Sequence, residues 1–154
     1  MKELNFDSGL VSYSINGKCE VSFNPADRSF TERFYNTFDE LGKIQDNYSK
    51  KAEELKEPAE AFALARQRDE EMSNVLDGLF GTPVCAAVFG DMSLCAFADG
   101  FPVWLNLMLV ILDEIEANIG DIQKQADPRI AKYKAKYQKY TAEYHKWTGS
   151  CRTV

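Results

Sequence analysis

Five acidic side chains have a spacing that could hold a divalent cation. Three of them lie in the E-E-x-x-E run at residues 53–57, and carboxylates one helical turn apart can share a hard cation such as Mg²⁺. Asp113 and Glu116 are also one turn apart and could complete such a site. Pro58 argues against it, because a proline falls where the first helix would have to continue. A solvated helix end is the simpler interpretation of this run.

The acidic run resembles the first half of the magnesium site in all-helical nucleotide pyrophosphohydrolases. The second half of that site, E-x-x-D on a following helix, is missing from this sequence. Function has to be argued from an assembled site and not from half of one. A magnesium-dependent pyrophosphohydrolase is therefore kept as an alternative and is not the expected function.

No other motif for catalysis or metal binding is present. The sequence lacks a P-loop, the nucleophile motifs S-x-x-K and G-x-S-x-G, and the zinc motif H-E-x-x-H. His145, the one histidine, lies in a lysine-rich segment with no suggested catalytic partner. The cysteines are scattered and form no C-x-x-C pair, which argues against structural zinc; they are Cys19, Cys85, Cys95 and Cys151. The sequence therefore predicts no catalytic residue, no cofactor and no metal, in a protein that is not an enzyme.

Charge is divided unevenly along the chain. Residues 1–127 contain 11 Lys and Arg against 23 Asp and Glu, whereas residues 128–154 contain 7 against 1, within a total net charge of −6. A basic segment on an acidic body can contact nucleic acid, bind an acidic partner or dock on its own domain. Charge alone leaves these three interpretations open.

The basic segment also carries a seam of large aromatic side chains. From Ile130 onward they recur at alternating spacings of three and four, the a/d pattern of a helix that packs against another helix. We therefore predict that this seam contacts a protein partner or a second copy of the chain, or closes the protein's own helical bundle. The predicted partner-binding residues are Tyr133, Tyr137, Tyr140, Tyr144 and Trp147.

Lysines on the same segment support another alternative, an accessory protein that binds nucleic acid. Lys132, Lys139 and Lys146 form one stripe with Lys136 beside it, and these charges could contact phosphates. Strict heptad spacing, however, favours burial of the rings in a helix–helix contact over stacking on bases. Lysines alone would give weak, salt-sensitive binding, so nucleic acid is not the expected partner.

The N-terminal region is predicted to form a β-hairpin. Residues 10–15 and 19–23 alternate apolar with polar side chains on either side of the turn signal Asn16-Gly17. Leu4 and Phe6 could add a short third strand. The two main strands need an apolar face, and this requirement also restricts their register.

A two-residue loop would place Ile15 opposite Lys18 and mix apolar with charged side chains on one face. A three-residue loop over residues 15–17 removes this conflict, because it pairs Tyr13 with Cys19 and collects the apolar side chains on one face. We therefore predict this longer, bulged loop.

Helical periodicity follows the hairpin. Ser29 and Glu32 match a capping box at the start of the first helix. Pro58 suits the first turn of the second helix, and Gly81 marks its end. On that helix the residues predicted to face inward are Phe62, Ala65, Met72, Leu76 and Leu79. The predicted fold is α+β and mainly helical, with a hairpin of two or three strands before a four-helix body at 29–56, 58–80, 101–120 and 128–147.

Residues 13–21, Y-S-I-N-G-K-C-E-V, precede this predicted helical body in a small acidic protein. The arrangement resembles the phage and prophage tail-assembly-chaperone-like proteins, which share an N-terminal strand pair with an I-N-G-K-like turn, then helices, and no signature active site. The resemblance implies a factor in the host cytoplasm that keeps a tail component, such as the tape-measure protein, soluble until polymerisation. The basic C-terminal helix has no place in that family pattern.

A cytoplasmic location is also expected from the first residues of the sequence and from the length of its apolar runs. Met1–Asp7 contains two acidic residues and no apolar core of a signal peptide, so free cytosolic thiols are expected. The longest apolar run, Phe101–Leu112, spans 12 residues, short of the roughly 20 that cross a bilayer, so no membrane contact is expected. One domain is predicted, with a hairpin region at 1–24, an acidic helical body at 25–127 and a basic aromatic helix and tail at 128–154.

Overall fold

The computed structural model describes residues 1–118, so the helix predicted over 128–147 lies outside the described residues. Helix accounts for 59% of the described residues, which confirms the mainly helical α+β class. The elements are β1 (Val11–Ile15), β2 (Cys19–Phe23), α1 (Arg28–Ala52), α2 (Pro58–Phe80), α3 (Val84–Phe89), β3 (Phe97–Ala98), β4 (Phe101–Pro102) and α4 (Val103–Asn118).

The chain is divided into two compact units, Met1–Leu94 and Cys95–Val154. The first contains β1, β2 and helices α1 to α3, and the second contains β3, β4 and α4 over its described part. A single domain over the whole chain stays a prediction. None of the helices between residues 1 and 118 combines the length and the hydropathy needed to cross a membrane.

The β1–β2 hairpin has the predicted apolar face but a different register. Tyr13 pairs with Val21 and not with Cys19, so the loop consists of Asn16–Lys18. The first two loop residues have positive φ angles of 53° and 68°, and the N–H of the third donates to the carbonyl of Ile15 at 3.0 Å. A positive φ is costly for a β-branched side chain. Ile15 therefore stays in the strand, and the predicted loop over residues 15–17 is wrong.

The hairpin has two strands, and the possible third strand does not form. Leu4 and Phe6 belong to no strand, and their side chains are 87% and 86% exposed. The turn that follows them does form, because the N–H of Gly9 donates to Asp7 Oδ1 at 2.9 Å. The apolar alternation at residues 4–6 thus produces exposed side chains and no third partner for the hairpin.

Helix α1 begins one residue earlier than predicted and is capped differently. Asp27 has the extended backbone of an N-cap (φ −82°, ψ 118°), and its Oδ1 accepts from the N–H of Ser29 at 2.9 Å. Ser29 is already helical, so the predicted capping box is wrong. The apolar face is confirmed, since Phe34 and Leu41 are fully buried. The helix ends at Ala52, four residues before the predicted end.

Helix α2 has the predicted bounds but not the predicted buried face. Pro58 opens it, and Gly81 ends it in the left-handed conformation (φ 67°). Met72, Leu76 and Leu79 are buried as predicted, whereas Phe62 is 66% exposed. The buried residues of α2 begin at Met72. The prediction that Phe62 faces the core is therefore wrong.

The second unit contains a helix whose first half is strongly apolar. Phe101 and Pro102 form strand β4 with β3, so α4 begins at Val103 and not at residue 101. The N–H of Val103 donates to the carbonyl of Ala96 at 2.8 Å, which holds the start of α4 next to the paired strands β3 and β4. Trp104, Leu105 and Met108 are fully buried, as expected for a helix that begins apolar on nearly all sides.

Candidate functional site

The aromatic seam predicted to bind a partner lies entirely beyond residue 118. Its role, like that of His145 and of the lysine stripe, stays a prediction. The seam residues outside the described part of the chain are Tyr133, Tyr137, Tyr140, Tyr144 and Trp147.

The acidic run does not form the helical half-site that its spacing suggests. Glu53 is the C-cap of α1, Glu54 lies in a turn, and Glu57 is the N-cap of α2. These carboxylates are exposed and do not share one helix face. Across residues 1–118, no group of three or more His, Cys, Asp or Glu side chains is placed to hold a metal ion. The interpretation as solvated helix ends fits this geometry.

An open groove of about 560 Å³ lies in the first unit, and we call it the aromatic groove. It is formed where the end of β2, the start of α1 and the end of α2 meet the segment before β1. Its size is that of a site for a side chain or a small ligand. Its apolar lining consists of Leu10, Phe23, Phe30, Leu79 and Phe80.

Stacked rings form the floor of the aromatic groove. Phe23 and Phe30 stack with ring centroids 4.4 Å apart and an interplanar angle of 8°, and Tyr13 stacks on the other side of Phe23 at 4.5 Å. Phe80 approaches both phenylalanines at 6.4 Å in a tilted arrangement. Phe23 and Phe30 are 5% and 3% exposed, so the floor is rigid and apolar.

A short hydrogen-bond network holds one wall of the groove. Asn24 Nδ2 donates to the carbonyl of Ser8 at 3.0 Å, and Asn24 Oδ1 accepts from the N–H of Ala26 at 2.9 Å. Gly9 has a φ of +77°, and a Cβ at this position would lie 2.5 Å from Asn24 Nδ2. Only glycine satisfies both conditions without a shift of the chain. These contacts hold the segment before β1 against the connection between β2 and α1.

Two guanidinium groups lie at the rim. Arg33 donates to Ser29 Oγ at 3.2 Å and lies 5.8 Å from the centre of the Phe30 ring. Arg28 is exposed and makes no hydrogen bond or ion pair to any residue in the described part of the chain. The carboxylate of Asp27, which also lines the groove, accepts the helix-cap hydrogen bond. An apolar group that carries a negative charge would match both the floor and the rim.

Exposed apolar side chains concentrate in the residues that lead into the groove. Of the nine large apolar side chains that are exposed in the described residues, five lie in the first eleven residues. We call residues 1–10 the N-terminal arm. Isolated exposed apolar residues are ordinary, but several on one short segment beside a groove are typical of an interaction surface. The five are Met1, Leu4, Phe6, Leu10 and Val11.

The sequence pattern of the residues at this site is also compatible with other roles. Leu4 and Phe6 were interpreted as a strand because they alternate with polar residues. Nothing in the sequence indicates that Arg28, Phe30 and Arg33 lie beside Phe80. The groove depends on tertiary contacts between segments more than 40 residues apart.

Comparison of the chain with protein-family models, with curated proteins and with solved structures finds no match.

Proposed function

We propose that this chain is a non-enzymatic interaction protein of the tail-assembly-chaperone kind, which binds an apolar segment of a phage or prophage tail component in the host cytoplasm. The observation that carries the proposal is the N-terminal arm, whose apolar side chains are exposed and lead directly into the aromatic groove. A protein that keeps a client soluble must present such a surface before the client covers it.

The chemistry of the groove indicates what the client offers. The stacked rings of Phe23 and Phe30 are almost fully buried, so an apolar client side chain would contact half-buried Phe80 and exposed Leu10 beside them. Arg28 and Arg33 at the rim favour a carboxylate next to that side chain. A client helix or extended segment with apolar anchors beside Asp or Glu satisfies both.

The segment that carries the family resemblance supports the same proposal. Residues 13–21 fold into the strand pair with an Asn16-Gly17 turn that the resemblance implies, and helices follow. The hairpin also supplies Phe23 to the floor of the groove. The element typical of the proposed family is therefore part of the surface proposed to bind the client.

The test is co-expression of the full chain with each product of the genes that neighbour its own. We expect one long helical product to remain in the supernatant only when this chain is present, and to co-purify with it. Phe6→Ser combined with Leu10→Ser should reduce the soluble client severalfold, since both side chains are removed from the apolar surface. The measurement is the client fraction in the supernatant after sedimentation.

Val110→Ser provides the matched control. Val110 is 67% exposed, close to the 65% of Leu10, but belongs to α4 in the second unit and not to the arm. This variant should solubilise the client as the unmodified chain does. The proposal is wrong if no neighbouring product depends on this chain for solubility, or if the arm variant performs as well as the control.

A further inference from the structure

In residues 1–118, the outer edge of strand β1 carries none of the charges, prolines or bulges that usually keep an edge strand from pairing. Within residues 1–118 its one partner strand is β2. Natural edge strands are protected by charges, prolines or bulges. Residues 8–17, which include all of β1, contain no charged residue and no proline. The segment from Lys18 to Asp27, which includes β2, has both. The edge of β1 is thus suited to accept another strand.

We propose that two copies of this chain associate through this edge, with β1 of one copy antiparallel to β1 of the other and Tyr13 at the twofold axis. In this register Val11 lies opposite Ile15 of the partner subunit, and Ser12 lies opposite Ser14 of the partner subunit. The two hairpins become one four-stranded sheet in the order β2, β1, β1, β2. Each copy gains a partner strand for the outward-facing backbone groups of β1, which are otherwise an unpaired edge within residues 1–118.

The side-chain pattern of β1 is the reason for assigning a second copy. Because the twofold axis passes through a residue, odd-numbered residues of one β1 lie opposite odd-numbered residues of the other, and even-numbered opposite even-numbered. The apolar face and the polar face therefore both continue across the two strands. Val11, Ile15 and their counterparts extend the apolar face, on which Val21 and Phe23 are already buried. The other face carries hydroxyl groups, where Ser12 Oγ lies 3.0 Å from Ser22 Oγ. The strand is therefore complementary to itself on both faces.

Charge also favours this surface for self-association. Residues 1–118 contain 10 Lys and Arg against 21 Asp and Glu, so the described parts of two copies repel each other. An uncharged ten-residue run is where this repulsion is smallest. The inference is independent of the client proposed above, because no residue of β1 lines the groove.

The test uses a charge exchange at Ser12 and Ser14, which are exposed and face each other across the proposed axis. With lysine at both positions, each contact becomes Lys opposite Lys, and the protein should elute as a monomer of 17.5 kDa. With glutamate at both positions it should also be monomeric. An equimolar mixture of the two variants should restore the dimer, because every contact then joins Lys to Glu. Light scattering after size-exclusion chromatography measures the mass.

Ser22→Lys is the control, since Ser22 lies on the same exposed face but on β2, one strand away from the axis. It should leave the dimer intact. Circular dichroism of each variant checks that the fold is retained. The proposal is overturned if the unmodified chain remains monomeric up to about 100 μM, if the lysine variant stays dimeric, which would assign self-association to another surface, or if mixing folded variants restores no dimer.

Discussion

Replacing Phe30 with leucine separates ring packing from apolar burial in the floor of the aromatic groove. Leucine keeps an apolar side chain at this buried position but removes the stack on Phe23 at 4.4 Å and the tilted contact with Phe80 at 6.4 Å. Phe89→Leu is the matched control. Phe89 is also buried, at 9% exposure, and has no ring contact among residues 1–118.

The expected difference follows from the number of ring pairs. Both substitutions remove the same atoms, so the transfer and cavity costs of the volume change are shared. Each aromatic pair contributes about 0.5–1.5 kcal/mol beyond area burial. Phe30→Leu loses two such pairs and should lower the free energy of unfolding by about 1–3 kcal/mol more than Phe89→Leu does.

Urea unfolding followed by circular dichroism at 222 nm measures this difference. With a slope of about 2 kcal/mol per molar urea, the two midpoints should be separated by about 0.5–1.5 M. A double-mutant cycle with Phe80→Leu should return a coupling to Phe30 of about 0.5–1.5 kcal/mol. Equal midpoints for the Phe30 and Phe89 variants, together with zero coupling, would refute the assignment of stability to the rings.

Three further predictions concern other parts of the chain. Asp77→Ala should cost about 1–3 kcal/mol in urea unfolding, because Asp77 Oδ1 accepts from the N–H of Cys85 at 2.9 Å and holds the start of α3. Burial, together with the smaller effect of the charge of Asp77, raises the pKa of the Cys85 thiol to about 12. Alkylation at pH 8 should therefore modify half-buried Cys19 and spare Cys85 until the protein unfolds. Equal alkylation rates for the two thiols would contradict this prediction. Tyr137→Ala with Tyr144→Ala should abolish client solubilisation or unfold the domain, whereas glutamine at the four lysines beside the seam should change client solubilisation much less. Salt-sensitive, sub-micromolar nucleic-acid binding that is lost in the lysine variant would contradict the seam's role.

The bounds of α2 could be predicted because local chemistry alone determines them. Pro58 has no N–H to satisfy in the first turn, and Gly81 adopts the left-handed conformation that ends a helix without strain. Neither role needs a tertiary contact. The buried pattern of Phe34 and Leu41 on α1 was equally readable, since a helix of this length must bury its apolar stripe.

For both the hairpin register and the start of α1, the sequence allows two alternatives that differ by only one or two residues. Two different three-residue loops both give an apolar face, and the choice depended on which residues adopt positive φ. Asn16 and Gly17 do so, while Ile15 remains in the strand. At α1, both Asp27 and Ser29 are good N-cap residues, and the extended backbone at Asp27 decided between them.

The candidate site could not be predicted, because long-range packing determines which apolar residues remain exposed. Phe62 has the helical spacing of a core residue and is nevertheless exposed, since the buried part of α2 begins ten residues later at Met72. Phe6 similarly fits a strand pattern but has no partner strand. Periodicity gives the direction of a side chain on its own element and says nothing about what covers it.

The first unit places its two proposed contacts at neighbouring positions along one short segment. The side chain of Leu10 lines the groove just before β1, whereas Ser12 and Ser14 lie on the exposed face of β1 itself. A charge at Ser12 or Ser14 replaces no groove-lining residue, and the one side-chain hydrogen bond it removes within residues 1–118 is that of Ser12 with the hydroxyl of Ser22. The lysine variant should become monomeric and still keep the client soluble, whereas Leu10→Ser should do the reverse. If both variants lose both properties, client binding and self-association depend on one surface, and the separation argued from the register of β1 is wrong.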